Sequence, residues 1–157
     1  MILGYTNGFY DMFHVGHLNL LRRARAMCDL LIVGVLTDDV CMRLKSRYCV
    51  IPLEQRMEIV NALPCVDMCV PCFEDDKLYQ WEMYNFNRVL VGSDHMGTPV
   101  WESLQREFKK RHVDIIYLPY TQGVTSQLIK EKVLREKSYE EKTALSQEVL
   151  GSDSEAP

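Results

Sequence analysis

Apolar and polar positions along this chain fall into blocks that predict strands and helices by turns. Ile2 to Thr6 is a short apolar run, read as a buried strand, and Asn7 and Gly8 open a tight turn that reaches Asp11. From Leu18 onward the apolar residues fall at helical spacing, at Leu18, Leu21, Ala24 and Met27. Leu30 to Leu36 is unbroken and apolar, as a central parallel strand covered on both faces requires. Arg43-Leu44-Lys45-Ser46-Arg47 then reads as a basic loop after this second strand. Leu53 to Leu63 reads as a helix with Pro52 near its start, and Val66 to Val70 as a strand. Lys77 to Phe86 is helical with a mixed face, and Arg88 to Val91 is a strand ending at Gly92. Val100 to Arg111 is helical, Val113 to Leu118 is a strand, and Thr125 to about Glu136 is the last helix. Strands alternating with helices in this way predict an α/β fold, a doubly wound open parallel sheet in three layers. After Lys137 the chain turns polar and charged, ending Gly151-Ser152-Asp153-Ser154-Glu155-Ala156-Pro157, which predicts a disordered tail. The expected organisation is one folded domain over 1–136 and a tail over 137–157.

Composition narrows the function. A chain of 157 residues is one domain by length, with enough residues to bury a real core. The net charge of -4 leaves no general basic surface, so nucleic acid is not an expected partner. No apolar run is long enough to span a bilayer, and Met1 to Thr6 lacks the length and charge of a signal peptide. The expected compartment is cytoplasmic, with no membrane partner. In that reducing compartment the six cysteines are expected to be free thiols. Cys65, Cys69 and Cys72 have the spacing of an iron–sulfur triplet. Strand alternation would send them to different faces, so they read as small buried hydrophobes and strand ends.

The candidate chemistry is concentrated in His14-Val15-Gly16-His17, which holds two of the four histidines in the chain. The tetrapeptide opens the first helix, and its spacing puts both imidazoles on one face about one turn apart. A helix N-terminus offers unpaired N–H groups and partial positive charge, which together favour an anion. Gly16 lets a bulky ligand approach the backbone. A strand-to-helix junction is also where open α/β sheets bind ligands. No nearby cysteine or carboxylate set completes a zinc site, so no protein-held metal is expected.

The stretch Gly8-Phe9-Tyr10-Asp11-Met12-Phe13-His14-Val15-Gly16-His17 resembles the G-T-F-D-x-x-H-x-G-H signature of the cytidylyltransferase branch of the nucleotidyltransferase superfamily. Tyr120-Thr121-Gln122-Gly123-Val124-Thr125-Ser126 resembles the second signature of that branch, R-T-E-G-I-S-T. Thr37-Asp38-Asp39, Pro52-Leu53-Glu54-Gln55-Arg56, Val66-Asp67 and Val91-Gly92-Ser93-Asp94 also match, and the resemblance covers roughly residues 1–134. The short segment between Asp94 and the second signature is most similar to the bacterial members that act on glycerol 3-phosphate.

The resemblance implies a Rossmann-like fold and transfer of a cytidylyl group from CTP to a small phosphate monoester. Pyrophosphate leaves by in-line displacement, no covalent enzyme intermediate forms, and magnesium accompanies the triphosphate. It implies that His14, His17 and Lys45 are catalytic, holding the phosphates and neutralising charge in the transition state. Gly8, Phe9, Tyr10, Asp11 and Gly16 would lie along the nucleotide. Gly92 and Asp94 would border the base, and Thr121, Gly123, Thr125 and Ser126 would meet the nucleotide from the second signature. Arg43 and Arg56 would hold the acceptor phosphate. The family also implies a homodimer. Two departures stand out: Phe9 replaces a small hydroxyl residue, and Tyr120 replaces a phosphate-binding arginine. They keep open a different nucleotide such as ATP, a phosphoethanolamine- or phosphocholine-like acceptor, or a catalytically weak nucleotide-binding relative.

Overall fold

The structure is a computed structural model and describes residues 1–152. The chain divides after Gly123 into two compact units. The first contains, in chain order, β1 (Leu3–Gly8), α1 (Val15–Ala26), β2 (Leu30–Leu36), α2 (Asp38–Lys45), α3 (Leu53–Asn61) and β3 (Met68–Cys72). It continues with α4 (Lys77–Tyr84), β4 (Arg88–Gly92), a single 3₁₀ turn (Ser93–His95), α5 (Pro99–Lys110) and β5 (Asp114–Leu118). The second consists of α6 (Ser126–Ser152) and the residues that flank it.

The five strands form one sheet in the order β3-β2-β1-β4-β5, and each adjacent pair is parallel. The order reverses at β1, which lies between β2 and β4, so the switch point is the gap between β1 and β4. β1 pairs with β2 from Leu3↔Leu30 to Gly8↔Val35. Against β4 it pairs only at Gly4↔Arg88 and Tyr5↔Val89. The β1–β4 ladder thus ends at Tyr5 and Val89, and the switch point beyond it is where open α/β sheets form their ligand crevice.

Each face of the sheet buries its own core. Tyr10, Leu21, Ala24, Leu31, Val33, Val35 and Val60 pack on one side, where α1 and α3 lie. Tyr5, Ile32, Phe86, Val89, Trp101 and Phe108 pack on the other, beneath α4 and α5. Alternation along β1 and β2 sends successive side chains to opposite cores, and six of the seven β2 residues are buried. Gly34 is needed here, because a Cβ at that position would sit 2.6 Å from the Tyr5 hydroxyl oxygen. Among the described residues no helix is long and apolar enough to cross a membrane.

Two elements differ from the sequence expectation. The segment expected to be a basic loop is helical as far as Lys45. Thr37 caps α2, its hydroxyl accepting from the Val40 amide at 3.4 Å, and Asp38 and Asp39 lie in the favourable first turn. The helix ends where Ser46 turns left-handed at φ 53°. The last helix, expected to end near Glu136, runs unbroken through Lys137 to Ser152, across most of the stretch expected to be disordered. Charge there does signal a chain with little to bury, but Glu, Lys, Leu, Arg and Gln are also strong helix formers. Residues 153–157, the end of the expected tail, lie outside the described residues.

Of the cysteine triplet, Cys69 and Cys72 take opposite faces of β3 as strand alternation requires, whereas Cys65 lies before the strand and packs against the same core as Cys69. Cys69 packs against the first core, with its Sγ 3.7 Å from the Met57 carbonyl oxygen. Cys72 is fully buried on the other face, with its Sγ 3.2 Å from the Glu74 carbonyl oxygen.

Candidate active site

The connection from β1 to α1 is held in an unusual backbone conformation. Tyr10 and Met12 both have positive φ, at 52° and 53°, a region that non-glycine residues seldom occupy. Tyr10 puts its ring into the first core in spite of this, with its hydroxyl buried beside the Thr6 side chain. Burial raises the Tyr10 pKa well above its ordinary value. Asp11 turns inward, and its two carboxylate oxygens accept the amides of Val50 and Ile51, each at 3.0 Å. The Asp11 carboxylate thus clips the segment after α2 to the first signature.

His14 is the N-cap of α1. Its Nδ1 accepts the Gly16 amide at 3.1 Å, and its own amide donates to His17 Nδ1 at 3.4 Å. The two rings stack with centroids 3.9 Å apart, and Tyr10 and Phe13 each pack against His17 with centroids 5.4 Å away. Because both Nδ1 atoms face N–H donors, each neutral imidazole carries its proton on Nε2. Burial lowers the pKa of His14. Burial, then the fields of His14 and Lys45 against the opposing Asp11, pull His17 down to about 4. At neutral pH the pair therefore presents two uncharged Nε2–H donors above the first turn of α1, whose own amides add partial positive charge.

Lys45, the last residue of α2, brings the full charge. Its Nζ lies 4.3 Å from the centroid of the Phe9 ring. Arg43 lies on the same helix but faces away, its guanidinium bound to the Glu74 carboxylate at 3.0 Å and the Phe73 carbonyl at 2.9 Å.

Arg56 departs from what the resemblance implies. Its side chain is wholly buried. Its Nε donates to Ile51 O at 2.8 Å, its Nη1 to Phe9 O at 2.7 Å and Leu36 O at 2.8 Å, and its Nη2 to Asp38 Oδ1 at 2.6 Å. The fork meant for a phosphate is spent on backbone carbonyls and one carboxylate, so in this structure Arg56 braces the site. Two of the three carbonyl groups that occupy it, those of Phe9 and Leu36, belong to residues distant in sequence, so composition gave no sign of this.

α1 gathers the remaining parts. A Cβ on Gly92 would lie 3.9 Å from Leu20, so the end of β4 lies against α1, and 2.5 Å from Asp94 Oδ1, the tip of an exposed side chain. Asn19, which drew no notice in the sequence, donates to Thr121 Oγ1 at 3.4 Å, and Arg23 donates to Pro119 O at 2.7 Å. These bonds tie the first half of the second signature to the histidine helix. Tyr120 is exposed, and Gly123 takes a φ of 77° that favours glycine. Thr125 and Ser126 belong to the second unit, where the Thr125 hydroxyl accepts the Leu128 amide at 3.0 Å and caps α6.

A parallel sheet whose strand order reverses at β1, with a histidine-capped helix following that strand, defines a Rossmann-like α/β protein. Residues 5–142 match the family described as cytidylyltransferase-like, and the chain belongs to that family. It is 33% identical to the glycerol-3-phosphate cytidylyltransferase of Staphylococcus aureus, over 82% of this chain and 92% of that one. It is 30% identical to the enzyme of the same name from Bacillus subtilis, over 82% and 94%. It is also 31% identical to the bifunctional protein HldE of Helicobacter hepaticus, over 85% of this chain but 27% of that longer one. Among solved structures, the lipopolysaccharide core biosynthesis protein of Thermoplasma volcanium superposes with a TM-score of 0.65 at 21% identity, covering 77% of this chain and 97% of that one. That likeness shows the fold.

Proposed function

We propose that this chain transfers the cytidylyl group of CTP to a small phosphate monoester of the glycerol 3-phosphate kind. The observation that carries the reading is the stacked histidine pair, with both Nδ1 atoms occupied and both Nε2–H groups left to meet phosphate beside Lys45. The relatives named for glycerol 3-phosphate support the acceptor class. An acceptor phosphate oxygen attacks the α-phosphorus of CTP, a new P–O bond forms, and the bond to the bridging α–β oxygen breaks. Pyrophosphate leaves with its electron pair, and no enzyme atom becomes bonded to phosphorus. The neutral imidazoles hold the triphosphate oxygens as donors. Lys45, on a flexible stem, follows the charge that gathers between acceptor and α-phosphate.

The described residues gather no group of three or more His, Cys, Asp or Glu side chains able to hold a metal. Asp11 and Asp38 are already engaged with backbone amides and with Arg56. Magnesium in this reading therefore arrives on the triphosphate, as it often does where phosphates supply its oxygen ligands. The working form in this reading is a homodimer, as the family resemblance implies, and light scattering of the full chain measures it.

The decisive experiment follows pyrophosphate release with each of four nucleoside triphosphates, magnesium and a panel of phosphate monoesters. Turnover with CTP and glycerol 3-phosphate supports the proposal. Turnover with ATP, or with phosphocholine or phosphoethanolamine in place of glycerol 3-phosphate, overturns the base or acceptor assignment. CTP binding without turnover on any acceptor overturns the enzymatic reading.

A further inference from the structure

We infer that Phe9 is a positioning residue for the reaction, its ring serving as a platform that holds the Lys45 ammonium beside the histidine pair. The inference rests on the proposed transfer reaction. The geometry is a cation over an aromatic face, with Nζ 4.3 Å from the ring centroid, well inside the range in which the ring quadrupole attracts a cation.

Phe9 is fixed from two sides. Its ring packs against the buried cluster of Leu36, Val40 and Cys72, and its carbonyl oxygen accepts from Arg56 Nη1 at 2.7 Å. Lys45 stands at the C-terminal end of α2, where the chain turns left-handed at Ser46 and no further helical turn constrains it. A long lysine stem at such an end costs side-chain entropy to hold in one place. The π face offsets part of that cost while accepting no proton and neutralising no charge, as a carboxylate would. Lys45 still lowers the pKa of His17, so its charge is felt across the site from this position. The residue that breaks the first signature by size and loss of a hydroxyl thus has work that a small hydroxyl residue could not do.

Two readouts test this. In protein carrying ¹³C-labelled lysine, the ε-methylene protons of Lys45 are expected to show an upfield ring-current shift. Loss of that signal in Lys45→Ala assigns it, and the shift is expected to disappear in Phe9→Leu. In steady-state assays, Phe9→Leu is expected to lower kcat about three- to thirtyfold, the range for losing one cation–π contact. Phe9→Tyr should restore kcat, and fluorinated phenylalanines at position 9 should lower it stepwise as the ring loses negative charge at nearly constant shape. That graded response separates the platform from simple packing and holds even if Phe9→Leu folds poorly. An unshifted Lys45 signal, a flat fluorination series, or a kcat that rises when the ring is removed would each overturn the inference. If wild-type protein turns over no acceptor while the ring-current shift is present, the proposed reaction falls and the positioning role falls with it, leaving only the contact.

Discussion

The imidazoles of His14 and His17 stack with centroids 3.9 Å apart and planes 19° from parallel, each with its Nδ1 turned toward a backbone amide. Protonating either ring would put a proton on an Nδ1 that accepts a backbone amide and would oppose protonation of the other, so the pair caps α1 in its neutral form. The same bonds that start the helix fix which nitrogen of each ring is left to a ligand.

This pair makes stability depend on pH in a defined direction. Both histidines titrate lower in the folded chain than in the unfolded one, where they take up protons near 6.5. Their contribution is therefore fully present above pH 6.5 and is lost as pH falls toward about 4, the folded value of His17. Melting temperatures measured between pH 7.5 and 4.5 should fall across that window. His17→Asn, whose amide oxygen can still accept the His14 amide, should show a shallower slope. Parallel curves for the two proteins would show that His17 is not the group being titrated.

His17→Asn and Lys45→Ala should each lower turnover at least about 100-fold, the size typical of losing one preorganised charge-stabilising donor. Lys45→Ala should act on kcat with CTP binding little changed, because its charge matters most once negative charge concentrates. Pyrophosphate release and equilibrium CTP titration separate the two effects. Near-wild-type turnover in either variant would exclude that residue from the chemistry.

Arg56→Met should cost roughly 3 kcal/mol or more in urea unfolding, since it strands three carbonyls and the Asp38 carboxylate. Arg56→Lys should recover little, because an ammonium cannot reproduce the fork. A stable Arg56→Lys protein with a raised KM for the acceptor alone would instead support the phosphate-binding role that the resemblance implies.

Tyr10→Phe should leave the fold intact and change stability by less than about 1 kcal/mol, since the buried hydroxyl it removes meets the Thr6 side chain without a well-aligned hydrogen bond. A larger loss in denaturant unfolding would show that the Tyr10–Thr6 contact is a full hydrogen bond.

The sheet was legible because its strands are continuous apolar runs. Leu30–Leu36 could be bounded to the residue, and the stop at Gly92 carries over into the structure, whereas β1 runs on through Asn7 and Gly8, which read as the start of the turn. Helix α2 was hidden because its four apolar residues are interrupted by Asp, Arg and Lys within only eight positions, and its start depends on the Thr37 cap. The histidines were legible from type and spacing, but their stacking and tautomers follow from amides that no residue pattern displays. Arg56 shows the limit most clearly. Its position matched a phosphate-binding residue, yet its partners are backbone carbonyls, and carbonyls are present at every position of every sequence. Asn19 was overlooked for a related reason, since its partner Thr121 is distant in the chain.

Arg56 also reaches four separate places: the turn after β1, the end of β2, the first turn of α2 and the segment before α3. Surface connections of this kind ordinarily open one at a time, far more often than the core. Here none can swing out without breaking bonds at the same guanidinium. Hydrogen exchange at the amides of Cys41, Val50 and Ile51 should therefore proceed in a single cooperative opening, and the rim of the crevice should behave as one rigid body.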